Sequence, residues 1–417
     1  MIISQGLIHK KSKVGRLASL IFKRASKTYE LDDAASASRM PAMEGLRGFA
    51  VLLVFGVHFH ALFGQHLPAN SVTFGFSLLW ESIGHSGVDL FFLLSGYLIY
   101  GAVIGKKIVL LKFMRRRVQR IYPTFISVFA VYLILSAVFP AENKIPTDLW
   151  AAQRYILENL LLLPGIIDIA PLITVAWSLS YEIFFYLFLP LIIALLGIRG
   201  WNAKFRPVFF AVIAFAYLGF CFLGFYPRPR LVMFFAGIML YDLFKLVPIR
   251  QSLMRFVDIG SLAVLVTTFG IIYFISLSPS FLRNLPRFEE YSWTYREIAL
   301  FIGFFLFVFC CLKATGVLRS IFSWTPLRWL GNMSYSYYLI HGLTLKAAAH
   351  FAGIFLVNMK DTAPGFWMAL PVCLLLSMAT STILFVLVEK RFSLAKSKTA
   401  SKPDYLDVSS PGVEVAQ

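Results

Sequence analysis

Apolar segments about 20 residues long recur along the whole 417-residue chain, separated by short polar or basic stretches. A helix of that length is what crosses the hydrocarbon core of a membrane. Hydrophobic residues make up 59% of the chain and charged residues 14%, whereas soluble domains carry about 25% charged residues. A water-soluble fold would have too little polar surface to cover itself. We therefore predict an all-α, polytopic integral membrane protein.

Ten segments fit a membrane-spanning helix by length and hydropathy. They lie at residues 44–63, 84–104, 121–139, 176–197, 207–225, 229–246, 257–278, 298–315, 329–357 and 367–388. The ninth is too long for one straight span, and we expect it to break or tilt. The apolar segment 160–167 is too short to cross a membrane and contains Pro164 and Gly165, which favours a re-entrant or interfacial loop.

The basic residues predict the orientation. With the N-terminus in the cytoplasm, 29 of the 39 Lys and Arg residues lie in cytoplasmic segments and 8 in outer segments. This bias is typical of cytoplasmic loops, so we predict cytoplasmic termini and a multi-pass protein of the inner (cytoplasmic) membrane, surrounded by membrane lipids. The net charge of +18 lies in short clusters between apolar runs, which argues against a nucleic-acid partner.

We divide the chain into three parts. Residues 1–42 form a basic cytoplasmic tail, in which 14–25 fit either a short amphipathic helix on the membrane surface or a disordered segment. Residues 43–392 form the transmembrane domain, and 393–417 form a polar cytoplasmic tail that we expect to be disordered.

The first predicted span carries four ionisable side chains: Glu44, Arg47, His58 and His60. Such residues within a span indicate a functional site, because burying a charge is costly unless it is paired. Arg47 and His58 lie on one helix face to within about 20° and about 16 Å apart along the axis. Glu44 shares that face to within about 40°, whereas His60 points to nearly the opposite side. A core histidine bonded to a neighbouring helix explains His58 equally well at this stage.

Two further segments each admit two interpretations. Asp89 begins the second span near the depth of His58, either as the carboxylate partner of a general base or as a helix cap. The basic run 112–120 is either an ordinary cytoplasmic loop or a site for a polyanion such as a nucleotide phosphate. The arginines that would form this site are Arg115, Arg116, Arg117 and Arg120.

The remaining polar residues are individually less informative. Trp177 and Glu182 lie at the start of the fourth span, and the hydroxyl-rich stretch Ser334–His341 suits contacts between helices. Glu389 stands beside Lys390 and Arg391, as in a surface ion pair. The four cysteines lie in apolar segments without the spacing of a metal site, so we predict no metal.

Taken together, these segments resemble the membrane-bound acyltransferase-3 family. The resemblance rests on elements that occur in family order between residues 43 and 392. They are the Glu44–Gly48 start with the Arg47/His58 pair, the Gly87–Gly96 stretch, the Phe113–Pro123 run, Trp177 to Glu182, Ser334–His341 and Glu389. Glu44 stands where Asp is frequent in the family. Neither His60 nor the basic N-terminal tail is a family marker, and we assign them no role.

The resemblance implies a membrane enzyme that takes an acyl group from a cytoplasmic donor, commonly acetyl-CoA. The group passes to a hydroxyl on an extracytoplasmic acceptor, often a cell-envelope or exported glycan or glycolipid. Acyl-CoA is then a substrate, and no cofactor is expected to stay bound. The chain ends soon after the tenth predicted span, so we expect no fused hydrolase-like domain. The acceptor and a possible homo-oligomeric state stay open.

On this basis we hypothesise a role for each residue. The arginine cluster of 112–120, with Arg47, binds the phosphates of the donor. His58 takes a proton from the acceptor hydroxyl or carries the acyl group, and Asp89 or Glu182 orients the imidazole or binds the acceptor. Supporting residues are Glu44, Trp177, Ser334 and His341.

Two other classes of protein fit the sequence. A transporter or flippase for a glycan-linked lipid also has many helices and buried charges, although no internal repeat is evident in the sequence. A catalytically inactive relative that serves as an assembly partner is the third possibility.

Overall fold

The computed structural model describes residues 13–31, 40–105, 109–224, 228–248, 253–277, 288–313, 316–356 and 362–394. Over these residues the chain forms helices and turns and contains no strand. The residues up to 39 and those from 40 onward are two separate compact units. The first contains helix α1 (Lys13–Tyr29), so this part of the N-terminal segment is helical. The predicted C-terminal tail lies outside the described residues beyond 394.

The second unit is a helical bundle. Its described helices are α2 (Pro41–Phe63), α3 (Val72–Gly84), α4 (Ser86–Ile104), α5 (Leu110–Val138), α6 (Leu149–Leu160), α7 (Trp177–Leu195), α8 (Phe205–Phe222), α9 (Val232–Leu246), α10 (Met254–Leu277), α11 (Phe288–Lys313), α12 (Val317–Phe322), α13 (Thr325–Asn332), α14 (Ser334–Leu356) and α15 (Ala363–Leu384). A π-helical segment, Phe385–Ser393, extends α15.

Eight segments of the described residues are long and apolar enough to cross a membrane. They correspond to eight of the ten predicted spans, and the predicted spans 229–246 and 329–357 are not among them. The first of these two is α9, which has only 15 residues and is short for a complete crossing. The all-α, multi-pass membrane architecture is confirmed, whereas the count of ten and the orientation stay predictions.

Several boundaries differ from the sequence-based prediction. Residues 72–84, expected to connect two spans, form α3, whose first turn is capped by the Ser71 side chain accepting from the Phe74 N–H (3.1 Å). The basic run 112–120 is not a loop but lies inside α5, as the helix propensity of Lys and Arg allows. The expected loop at 160–167 is confirmed, since α6 ends and turns follow.

The predicted break in the ninth span is also confirmed, because α13 ends before α14 begins. Helix α13 packs closely against α2. A Cβ atom on Gly331 would lie 1.7 Å from the carbonyl oxygen of Glu44, and one on Gly48 would lie 2.1 Å from that of Leu327. Only glycine permits this approach of two backbones. The contact fixes the position of α2, which carries Arg47 and His58.

Candidate active site

Two cavities lie next to each other in the second unit. The larger, of about 430 Å³, contains His58 in its wall and is called here the histidine cavity. The smaller, of about 140 Å³, contains Arg47 and is called the arginine cavity. The two share Val88 of α4 and Tyr338 of α14 among their described lining residues. One helix, α2, therefore supplies the defining residue of each cavity.

His58 is held through its Nδ1 atom. That atom lies 3.0 Å from the carbonyl oxygen of Val54 and 3.4 Å from Nε2 of His341. Nδ1 of His341 lies 2.9 Å from the carbonyl oxygens of both Tyr337 and Tyr338. Because a carbonyl only accepts hydrogen bonds, we assign the proton of each neutral imidazole to Nδ1. His341 then offers a lone pair to the His58 N–H.

This tautomer leaves the lone pair of His58 on Nε2. The hydrogen bonds that His58 makes within the described part of the chain all run through Nδ1. The two rings meet edge to face, with centroids 4.8 Å apart and an interplanar angle of 89°. His341 is fully buried. An imidazole oriented by a buried acceptor, with its second nitrogen unprotonated at a cavity, is the arrangement of a general base.

The arginine cavity combines three guanidinium groups with a carboxylate. Arg117 and Arg120 of α5 line it together with Arg47 and Glu182. A spacing of three residues places the two α5 arginines on one helix face. Glu182 accepts a hydrogen bond from the Ser95 hydroxyl (3.0 Å).

Glu389 compensates one of these arginines and is not the surface ion pair that its neighbours suggested. It is fully buried, and its Oε1 lies 2.9 Å from Nη1 of Arg120. Its Oε2 accepts from the backbone N–H (3.0 Å) and the hydroxyl (2.5 Å) of Ser336. The π-helical segment after α15 is thereby joined to α5 and α14.

The four arginines predicted as one cluster divide into two groups. Arg117 and Arg120 line the arginine cavity, whereas Arg115 and Arg116 are absent from the described lining of either cavity. Arg115 is exposed to solvent. Spacing along α5 explains this result, since consecutive residues of a helix point about 100° apart and cannot all face one site.

Asp89 is fully buried, and its nearest ionic partner is an arginine. Its Oδ1 lies 3.7 Å from Nε of Arg230, and the same nitrogen lies 3.6 Å from Oε1 of Glu297. The guanidinium of Arg230 also lies over the rings of Trp177 and Trp293, 5.8 and 5.5 Å from their centroids. Sequence reasoning gave Arg230 no role, because it lies at the very start of the predicted span 229–246, where an arginine is read as part of the adjoining loop.

The other predicted supporting residues occupy distinct places. Glu44 forms an ion pair with Arg328 (2.9 Å) across the α2–α13 contact. Trp177 lines the histidine cavity, and buried Ser334 lines the arginine cavity. His60 faces away from the site, with its Nδ1 2.8 Å from the Ser77 hydroxyl.

Comparison with known proteins places the chain among acyltransferases. A family model described as an acyltransferase domain of the acyltransferase-3 type matches residues 40–386. O-acetyltransferase OatA of Staphylococcus aureus is 27% identical over 357 residues, covering 77% of this chain and 52% of that protein. Peptidoglycan O-acetyltransferase OatA of Listeria monocytogenes is 28% identical over 363 residues, covering 80% and 53%.

Acyltransferase MdmB of Streptomyces mycarofaciens is 35% identical over 162 residues, which is 37% of this chain and 39% of that protein. The chain spans about half the length of the two OatA relatives. No solved structure matches it. The family model covers well over half of the chain, in agreement with the motifs noted above. The chain belongs to the acyltransferase-3 family.

Proposed function

We propose that the chain is a membrane O-acyltransferase that moves an acyl group from a cytoplasmic acyl-CoA to a hydroxyl of an extracytoplasmic or exported glycan. The group is acetyl in the simplest case, as the names of the OatA relatives suggest. The observation that carries the proposal is that a cavity containing three arginines adjoins a cavity containing an oriented histidine. Peptidoglycan, named for the Listeria relative, is one candidate acceptor.

The arginine cavity suits the donor. Its three arginines, Arg47, Arg117 and Arg120, outnumber the two nearby carboxylates, Glu182 in the cavity wall and Glu389 paired with Arg120. The group therefore keeps a net positive charge for phosphate oxygens. Arginine binds phosphate with two parallel hydrogen bonds and stays charged when partly buried. The thioester end of the donor then extends past Val88 and Tyr338 to His58.

The histidine cavity suits the acceptor and the chemical step. The Nε2 atom of His58 removes the proton of the acceptor hydroxyl while the hydroxyl oxygen attacks the thioester carbon. A C–O bond forms, the C–S bond breaks, and the coenzyme A thiolate leaves and takes the proton from His58. His341 and the Val54 carbonyl stabilise the imidazolium that exists between these events. The same lone pair serves a two-step route in which His58 is acylated first.

The test compares His58→Ala with His60→Ala in purified protein reconstituted into liposomes with radiolabelled acetyl-CoA and a glycan acceptor. We expect His58→Ala to lose transfer by about 10²–10⁴-fold, the usual contribution of a general base. His60→Ala removes the same side chain from the same helix but outside both cavities, and should keep its activity.

Wild-type transfer by a well-expressed His58→Ala variant would refute the role of His58. A wild-type protein that consumes no thioester but moves a glycan-linked lipid across the bilayer would favour the transporter alternative. Label that stays on the protein after a single turnover without acceptor would identify the two-step route.

A further inference from the structure

The two cavities share two of the side chains that line them. Val88 and Tyr338 line both cavities. Val88 is 8% exposed and Tyr338 is 7% exposed, so each contributes a small surface to the two spaces. The direct route from the arginine cavity to the histidine cavity therefore runs past these two side chains.

The Tyr338 side chain is held in place by hydrogen bonds of its hydroxyl and by the packing of its ring. The hydroxyl of Tyr338 lies 2.8 Å from the hydroxyl of Ser178 and donates to the carbonyl oxygen of Val175 (3.1 Å). Its ring packs edge to face on Phe91 of α4, with centroids 6.0 Å apart. The ring belongs to α14, Ser178 lies in the first turn of α7, and Val175 lies in the short 3-10 helix Thr174–Ala176 that precedes α7. A swing of the Tyr338 side chain about χ1 would therefore break its contacts with this segment.

Val88 is also restricted, both in its side-chain rotamer and in the position of its helix. A β-branched side chain in a helix has one strongly preferred rotamer. The residue before it, Gly87, brings α4 against α2 so closely that an added Cβ would lie 2.5 Å from the carbonyl oxygen of Ala50. Helix α4 therefore cannot move toward α2, the helix that carries His58, to widen the opening.

We propose that Val88 and Tyr338 form a passage that sets the largest acyl group the protein transfers. This inference rests on the proposed function, in which the donor phosphates occupy the arginine cavity and the thioester carbon reaches His58. A rigid opening made of one valine and one tyrosine admits a short acyl group and hinders each further methylene. In apolar pockets one methylene changes selectivity by about 10–200-fold.

The experiment measures kcat/KM for acetyl-, propionyl-, butyryl- and hexanoyl-CoA with the full-length protein in liposomes. Val88→Ala should raise the butyryl-to-acetyl ratio by about tenfold or more, because it enlarges the opening. Val88→Leu should lower the propionyl-to-acetyl ratio. Tyr338→Phe keeps the ring and removes its tether, so its butyryl-to-acetyl ratio should rise by less than that of Val88→Ala.

Val103→Ala is the matched control. Val103 is a fully buried valine of the same helix α4 and is absent from the described lining of both cavities. Its replacement should leave all chain-length ratios at the wild-type value, whatever it does to stability.

The experiment distinguishes an error in the passage hypothesis from an error in the proposed function. A wild-type protein that transfers no acyl group from any of the four thioesters refutes the proposed function. A wild type that transfers acetyl, with the same ratios in Val88→Ala, Val88→Leu and Val103→Ala, refutes the passage. Val88→Leu and Tyr338→Phe leave no large cavity, so they decide the question if Val88→Ala does not fold.

Discussion

The contact between the two histidines gives a quantitative expectation for His341. Its Nε2 atom is one of two acceptors for the Nδ1–H of His58, and the Val54 carbonyl is the other. His341→Phe keeps a planar ring of similar size in the stack on Tyr337, whose centroid lies 5.4 Å away. The substitution removes the acceptor, together with the Nδ1–H that His341 donates to the carbonyl oxygens of Tyr337 and Tyr338 in its own helix. It therefore separates the hydrogen bonds of the His341 ring from the packing of that ring.

The expected loss follows from the charge on His58 during the reaction. In the ground state the hydrogen bond joins two neutral rings and contributes about 1 kcal/mol. When His58 holds the acceptor's proton, the bond has a charged donor and contributes about 1.5–3 kcal/mol. The 3.4 Å separation and the remaining Val54 carbonyl favour the lower end. Only the increase from the ground state to the transition state affects kcat, and an increase of about 0.5–1 kcal/mol corresponds to a loss of about two- to fivefold in kcat.

The assay is steady-state transfer from acetyl-CoA in liposomes, with kcat and KM determined separately. His341→Phe should lower kcat about two- to fivefold at unchanged KM for the donor, because the arginine cavity is not altered. His341→Gln restores an acceptor oxygen and should recover part of the loss. A wild-type kcat in His341→Phe, or a loss confined to KM, would refute the reasoning. Thermal unfolding of both variants controls for misfolding.

The helix contact, the buried carboxylate and the arginine cavity give three further expectations. Gly331→Ala places a methyl group 1.7 Å from a carbonyl oxygen of α2 and should lower the unfolding temperature in detergent, since overpacking costs about 1–3 kcal/mol. Glu389→Ala leaves Arg120 without its carboxylate and should cost about 3 kcal/mol in denaturant unfolding, the lower end of the range because Arg120 is 24% exposed. Arg117→Gln should raise KM for acyl-CoA by about tenfold or more, whereas Arg115→Gln, outside the cavity, should change it less than about twofold. Equal effects of the two arginines would contradict the donor site.

The spans were predictable because each apolar run has to satisfy its own backbone hydrogen bonds in lipid, which leaves a helix as the only local solution. Helix α3 was missed because it has only 13 residues, too few to cross a membrane, although it is largely apolar. The Ser71 cap marks its start. Helix α9 was identified by its apolar composition, but a buried helix has the same composition as a span. Composition therefore predicts helices better than it predicts their depth.

In the candidate site, too, some relations between residues were predictable from the sequence and others were not. The relation between Arg47 and His58 was predictable because both lie on α2, where helical periodicity fixes their spacing. The pairing of His58 with His341, and of Arg120 with Glu389, joins residues 283 and 269 positions apart. No pattern within one helix specifies such pairs. Resemblance to a family marked these segments as important but did not say which side chains meet.

For Asp89, the predicted depth in the membrane did not show which residues surround it. The sequence places it near the level of His58, but a residue at that level can face any side of α4. In the structure neither of its carboxylate oxygens has a hydrogen-bond partner among the described residues, and a buried carboxylate needs compensation. Arg230 supplies it at 3.7 Å while its guanidinium lies between two tryptophan rings in the wall of the histidine cavity. Glu297 lies 3.6 Å from the same nitrogen, Nε of Arg230, so two carboxylates hold this cationic group in the wall of the cavity where the acceptor is proposed to bind. We propose that Asp89 acts on the site through Arg230 and not by direct contact with His58.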